Sequence, residues 1–197
     1  MPKSYSEEER AYIIKRLKEE ATNCLSLYGV KKTTVDELVK RVKIPKGTFY
    51  LFYQSKELLL FEVFLELHEK IEQQLLDGIT QIEKDNLNIE QMTDLIYRFY
   101  KVTDESPLIK LLTSGDIEIL ARKLPKEVVA EHFQQDNFLI EKIFSLFPDV
   151  EDKDVETFST AFRNIFFTMI YKKELGEKNY DESLKMLIRG LVIQLFG

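Results

Sequence analysis

Cysteine is nearly absent. Cys24 is the single one in 197 residues, so no internal disulfide can form, which suits a reducing compartment. Its place on an apolar helical stripe makes it a core residue rather than a redox sensor. Histidine is almost as scarce, with only His68 and His132. Leu65 and Val129 stand where an E-x-x-H di-metal helix would carry glutamate, and His68 is expected to have no further ligand at helical spacing. No glycine-rich phosphate loop, H-E-x-x-H motif or cysteine pair occurs, so neither an enzyme nor a cofactor or metal site is expected. No run approaches the roughly eighteen apolar residues of a membrane span, and MPKSYSEEER has no apolar signal core. A cytoplasmic protein without a membrane partner is the expectation. Seven glycines, five prolines and almost no strand-like alternation predict an all-α chain of about nine helices, with a head over 1–54 and a body over 55–197.

The most informative stretch is TTVDELVKRVKIPKGTFYLFYQSK, residues 33–56. Thr34 opens a helix as the first residue of a T-x-x-E capping box with Glu37. Val35, Leu38, Val39 and Val42 then recur at helical spacing. Pro45 has no N–H and drives Ile44 out of the α region, so the chain breaks there and restarts at Lys46. The second helix, about Lys46 to Phe52, is too short to stand without tertiary support. Upstream, Ser6 caps a first helix that Gly29 ends, and Ile13, Ile14, Leu17, Ala21, Cys24, Leu25 and Tyr28 form its core stripe.

This order of residues resembles the helix-turn-helix of TetR-family transcriptional regulators. The carrying residues are Gly29, Thr33, Thr34, Val35, Leu38, Val42, Ile44, Lys46, Gly47, Thr48, Phe49, Tyr50, Ser55, Lys56 and Leu58. The chain departs from the family pattern at Lys43, where the turn commonly has glycine, and at Phe52-Tyr53, which stands for tyrosine or histidine followed by phenylalanine. The resemblance implies a three-helix DNA-binding head in which Lys46 and Thr48 meet base edges and Gly47 lets backbone approach DNA. Thr34, Tyr50 and Lys56 would engage phosphates. It also implies a homodimer on a near-palindromic operator, built through the last two helices, and a repressor released by a small effector.

Charge is distributed unevenly along the chain. Residues 1–56 hold 12 Lys or Arg against 7 Asp or Glu, and residues 57–197 hold 16 against 27. A basic head on an acidic body keeps phosphate attraction local. A long helix from Lys56 to about Ile82 is expected to link them as a semi-rigid lever. Further helices are expected around 89–100, 107–112, 125–147, 152–175 and 181–196, with 116–124 ambiguous. Phe99, Tyr100, Phe133, Phe162 and Phe166, with Asp136 as a polar anchor, could line a ligand cavity; the same residues also fit a plain core. The final two helices are apolar over more than one face and so need either a deep core or another chain; the resemblance implies the latter, with Phe158, Ile165, Met169, Leu184, Leu187, Leu191 and Leu195 at the dimer interface. The alternative is a helical protein–protein interaction module without DNA binding.

Overall fold

The computed structural model describes residues 5–81, 88–127 and 155–196, and every regular element among them is helical. The chain divides into two compact units: 1–67 with 110–129, and 68–109 with 130–197. The first therefore extends past residue 54 and takes in a later segment.

In the first unit, α1 (Glu7–Lys32) starts in a complete capping box. The Glu9 amide donates to the Ser6 hydroxyl at 3.2 Å and the Ser6 amide to the Glu9 carboxylate at 2.9 Å. Ile13, Leu17, Ala21, Cys24 and Leu25 are its buried stripe. Gly29 leaves helical geometry at φ 73° and ψ −179°, so the long helix breaks there and only a short turn continues to Lys32. Helix α2 (Val35–Val42) is capped by Thr34, which accepts from the Glu37 amide at 3.2 Å. The expected reciprocal half of that box is not formed. The Glu37 carboxylate instead accepts from Arg41 at 2.6 Å, one turn along the same helix, where an opposite charge outcompetes a backbone amide.

Helix α3 (Lys46–Phe49) is shorter than the sequence predicts. Beyond Phe49 the chain tightens, with Leu51 and Phe52 amides reaching back three residues, to Thr48 and Phe49 carbonyls. Such bonds end a helix in a tighter coil. The segment 116–124, ambiguous in sequence, is mostly helical: α7 (Asp116–Lys123) packs on α1 within this unit.

Helix α4 (Lys56–Thr80) begins at Ser55, whose hydroxyl accepts from the Leu58 amide. In the second unit, Leu75 of α4 meets α5 (Ile89–Glu105), α8 (Val155–Ile170) and α10 (Tyr180–Phe196) around Met92, Leu95, Tyr100, Ile165, Met169, Leu184 and Ile188. A Cβ at Gly78 would collide with Leu95, so glycine sets how closely α4 and α5 approach. Gly190 has no such neighbour among the described residues. Helix α6 (Pro107–Thr113) lies between α5 and α7 in sequence. The predicted single helix 152–175 instead breaks at Tyr171 into α8 and α9 (Lys172–Leu175). A turn through Gly176, at φ 110°, follows it. The helix expected over 125–147 lies almost wholly outside the described residues.

Two backbone positions with positive φ give opposite expectations. Lys43 caps α2 in the left-handed region at φ 62°, a conformation that costs a lysine about 1 kcal/mol relative to glycine. Lys43→Gly should raise the denaturant midpoint by about that free energy. A Cβ at Gly29 would sit 2.5 Å from the buried Asp116 carboxylate. Gly29→Ala should therefore destabilise by at least about 2 kcal/mol, adding a displaced hydrogen-bond partner to backbone strain.

Candidate nucleic-acid interface

The candidate interface is the α2–turn–α3 segment. Lys43 turns the chain by its left-handed geometry, and Pro45 restarts it. Phe49, fully buried, anchors α3 from below, packing against Tyr53 at 6.0 Å between ring centres. The Tyr53 phenol is pushed up by burial and by its hydrogen bond to Glu62. On the outer side Lys46, Gly47 and Tyr50 are exposed, and nothing lies within 4 Å of a Cβ at Gly47. Lys31, Lys32, Lys40 and Lys43 are also exposed, so the segment from the end of α1 to the turn carries several solvated cations.

Lys46 is engaged by a residue that sequence reading did not single out. Its ammonium lies 2.9 and 3.1 Å from the two oxygens of Asp36 on α2. That hydrogen bond, together with the carboxylate charge, raises the lysine pKa. Their separation by ten residues across a turn left no helical spacing to reveal the pair. Tyr50 stands edge-on to Phe49 with its outer half in solvent. Thr34 is exposed, its oxygen capping α2.

Two expected DNA contacts are turned inward. Thr48 is only 6% exposed, and its hydroxyl shares a 3.1 Å hydrogen bond with Tyr5. Burial of Phe49 on the same short turn brings its neighbour Thr48 with it. Lys56 donates to the carbonyls of Val30 at 2.7 Å and Thr33 at 2.6 Å, closing the end of α1. Burial lowers its pKa against the pull of Glu57 and Asp116. Beside it Asp116 accepts from the Val30 amide at 2.8 Å. Glu57, itself buried, takes the Lys123 ammonium at 2.9 Å.

In the second unit Tyr100 is buried, and its hydroxyl donates to the Phe162 carbonyl at 2.6 Å. Phe166 packs at 6.4 Å and Phe99 at 5.8 Å from its ring. Phe99, Tyr100 and Phe166 are therefore grouped as packed rings, and Phe162 joins them through its backbone carbonyl. Phe133 and Asp136 lie outside the described residues. An open depression of about 370 Å³ is lined by Glu156, Thr157, Thr160, Ala161 and Asn164 and contains none of them. Of the expected interface residues, Ile165, Met169, Leu184 and Leu195 are buried within the chain, while Phe158 and Leu191 are half-buried and Leu187 is 51% exposed. His68 does have a partner at helical spacing after all, with Glu72 at 3.7 Å. Among the described residues no group of three His, Cys, Asp or Glu is placed to hold a metal ion. None of the described helices is long and apolar enough to cross a membrane.

A capped helix, a left-handed turn and a second helix with a cationic outer side define a helix-turn-helix protein. Residues 18–63 match the family model described as bacterial regulatory proteins, tetR family, so this segment is a TetR-type helix-turn-helix. Bacillus subtilis (strain 168) has a similar protein, the uncharacterized HTH-type transcriptional regulator YhgD. The two are 30% identical over 87 residues, 44% of this chain and 46% of that one. The chain thus spans less than half the length of this relative. The fold is shared with a solved protein from Mesorhizobium loti MAFF303099 described as a TetR-family transcriptional regulator. That match has a TM-score of 0.74 at 16% identity and covers 94% of this chain and 95% of the other. It is also shared with FadR of Bacillus subtilis, solved in complex with stearoyl-CoA, at a TM-score of 0.62 and 14% identity over 93% of this chain and 99% of that one.

The buried phenol of Tyr100 sets an alkaline limit. Burial holds its pKa well above the ordinary tyrosine value, so the stability contributed by the protonated form is complete below about pH 10 and is lost as pH rises beyond it. The denaturant midpoint should fall as pH is raised from 9 to 11, and Tyr100→Phe should flatten that fall. An equal fall in the variant would remove Tyr100 from the account.

Proposed function

We propose that the chain is a dimeric DNA-binding regulator, a cytoplasmic repressor that holds a near-palindromic operator and leaves it when a small ligand binds the second unit. The observation that carries this reading is the division of α3 into two sides. Phe49 and Thr48 face the unit's interior, while Lys46, Gly47 and Tyr50 remain in solvent. A helix presented in this way suits the major groove, where lysine donates to guanine O6 and N7. Lys46 and Gly47 are proposed to meet base edges, and Thr34 and Tyr50 phosphates. Thr48 and Lys56, both turned inward, support the geometry from behind.

Dimerisation finds support in a residual apolar surface. After the second unit's own core is formed, Phe167, Tyr171 and Leu175 near the end of α8 and on α9 remain more than half exposed, as do Met186 and Leu187 on α10. Two such units, related by a two-fold axis, would place two heads on successive half-sites. The stearoyl-CoA held by FadR supports an effector role for the second unit, with Phe99, Tyr100, Phe162 and Phe166 as its apolar wall. A ligand preferring the conformation with mismatched heads would weaken DNA binding by the ratio of its affinities for the two states.

Selection of random duplex DNA by the purified protein tests this reading. A palindrome should be enriched, and Lys46→Ala should weaken its binding roughly 10-fold or more with relaxed preference at one base step. Tyr50→Ala should weaken all duplexes alike. Asp36→Asn should raise affinity for unrelated duplex at low salt, because a carboxylate that repels phosphate and occupies Lys46 is removed. A folded protein that enriches no duplex at low salt would refute the reading.

A further inference from the structure

Helix α3 is four residues long, and Pro45 at its start provides no side-chain cap. A single helical turn is far below the length that is stable alone, so its orientation must be imposed by neighbours. Phe49 anchors it from within. A second hold on the same inward side comes from a point 43 residues earlier in the chain, immediately ahead of α1.

There Tyr5 shares a 3.1 Å hydrogen bond with the Thr48 hydroxyl, and its ring lies 6.2 Å from that of Phe52. Arg10 of α1 covers the Phe52 ring at 5.0 Å. Tyr5, just before the Ser6–Glu9 capping box, is positioned by a helix start that is itself fixed by two reciprocal bonds. The tether thus runs from a rigid origin to the middle of α3, through a hydroxyl pair and two aromatic contacts. Thr48 lies between Gly47 and Phe49, so a hydroxyl held at Thr48 fixes the rotation of α3 about its axis, and with it the direction in which Lys46 and Tyr50 project.

We propose that Tyr5 is a positioning residue of the recognition helix, latching Thr48 so that α3 presents its reading side in one orientation; this rests on the DNA-binding reading above. Tyr5 acts through Thr48 and touches no base. Its loss lowers discrimination between operator and unrelated duplex and leaves the number of phosphate contacts unchanged.

The test combines Tyr5→Phe, which keeps the ring and removes the hydroxyl, with Thr48→Val and the double variant. Affinity is measured for the palindrome enriched from random DNA and for a scrambled duplex, across a salt series, well below the unfolding temperature. Each single variant should lose roughly three- to tenfold in affinity for the palindrome, and the double variant no more than either, since all remove one bond. The salt slope should be that of the wild type. Amide hydrogen exchange on the free full chain gives a second readout independent of DNA. The Leu51, Phe52 and Tyr53 amides, which bond back to Thr48 and Phe49, should exchange at least about threefold faster in Tyr5→Phe.

Wild-type affinity with wild-type exchange in Tyr5→Phe would overturn the latch. A salt slope reduced by about one would mean that a cationic phosphate contact is lost along with the Tyr5 hydroxyl, and would overturn a role confined to orienting α3. Equal loss on palindrome and scrambled duplex, with unaltered exchange, would overturn it too. A wild-type protein that binds no duplex would refute the regulator reading instead, and the exchange result would still decide whether Tyr5 holds α3.

Discussion

The break between α1 and α2 is held by charge on both sides of one residue. Val30 gives its N–H to the Asp116 carboxylate, and its carbonyl accepts from the Lys56 ammonium, which also reaches the carbonyl of Thr33. Val30 and Thr33 are almost wholly buried, so these backbone groups could not turn to water if the side chains were lost. Neither charge would be stable there alone; burial pulls the Lys56 pKa down, and the nearby carboxylates pull it back. The junction fixes the exit angle of α1, and the capped start of α2 follows four residues later. Helix α3, without a cap of its own, inherits its place from both. The helix-turn-helix is thus oriented by residues drawn from α1, α4 and α7, which lie far apart in sequence.

Local chemistry was legible in the sequence because it needs only nearby residues. The Ser6, Thr34 and Ser55 starts, the restart at Pro45 and the end of the long helix at Gly29 each depend on neighbours within a turn. Lys43 was less legible: a lysine where the motif commonly has glycine left the turn geometry open, and the structure gives it a left-handed backbone. What failed was competition. Glu37 had two partners within reach and took Arg41, whose charge the capping-box pattern does not weigh. Tyr171 ended α8 inside a run that periodicity would have continued, and Gly176 then turned the chain at a φ open mainly to glycine.

Placement of the site was less legible. Lys56 and Thr48 are polar residues in a DNA-binding motif, and a motif cannot say which of its polar groups face inward. Their partners, Val30 and Tyr5, lie 26 and 43 residues away, and Asp116 is 86 residues from the amide it caps. The same blindness affects the C-terminal helices. Periodicity marked Ile165, Met169, Leu184 and Leu195 as apolar, but an apolar stripe reads alike whether its partner is the same chain or another. Burial assigns these four to the chain's own core and leaves Tyr171, Leu175 and Met186 outside it.

The proposed reading surface and its support are therefore built on different terms. Lys46, Asp36, Gly47 and Tyr50 are solvent-exposed and adjacent in space, so exchanging one alters what the surface meets and hardly touches packing. Tyr5, Thr48, Lys56 and Asp116 are partly or fully buried and bonded across the unit, and Phe49 is fully buried beneath α3, so exchanging one removes support from behind the helix. Within this arrangement Asp36 limits Lys46 without anchoring it. An exposed pair contributes little to stability, but its carboxylate occupies the ammonium that a phosphate would otherwise attract. A guanine edge offers that ammonium two acceptors at fixed spacing, whereas a phosphate oxygen is met alike on any sequence. Selectivity on such a surface comes from what must be displaced as much as from what is gained, and only the rigid backing of α3 makes that displacement depend on sequence.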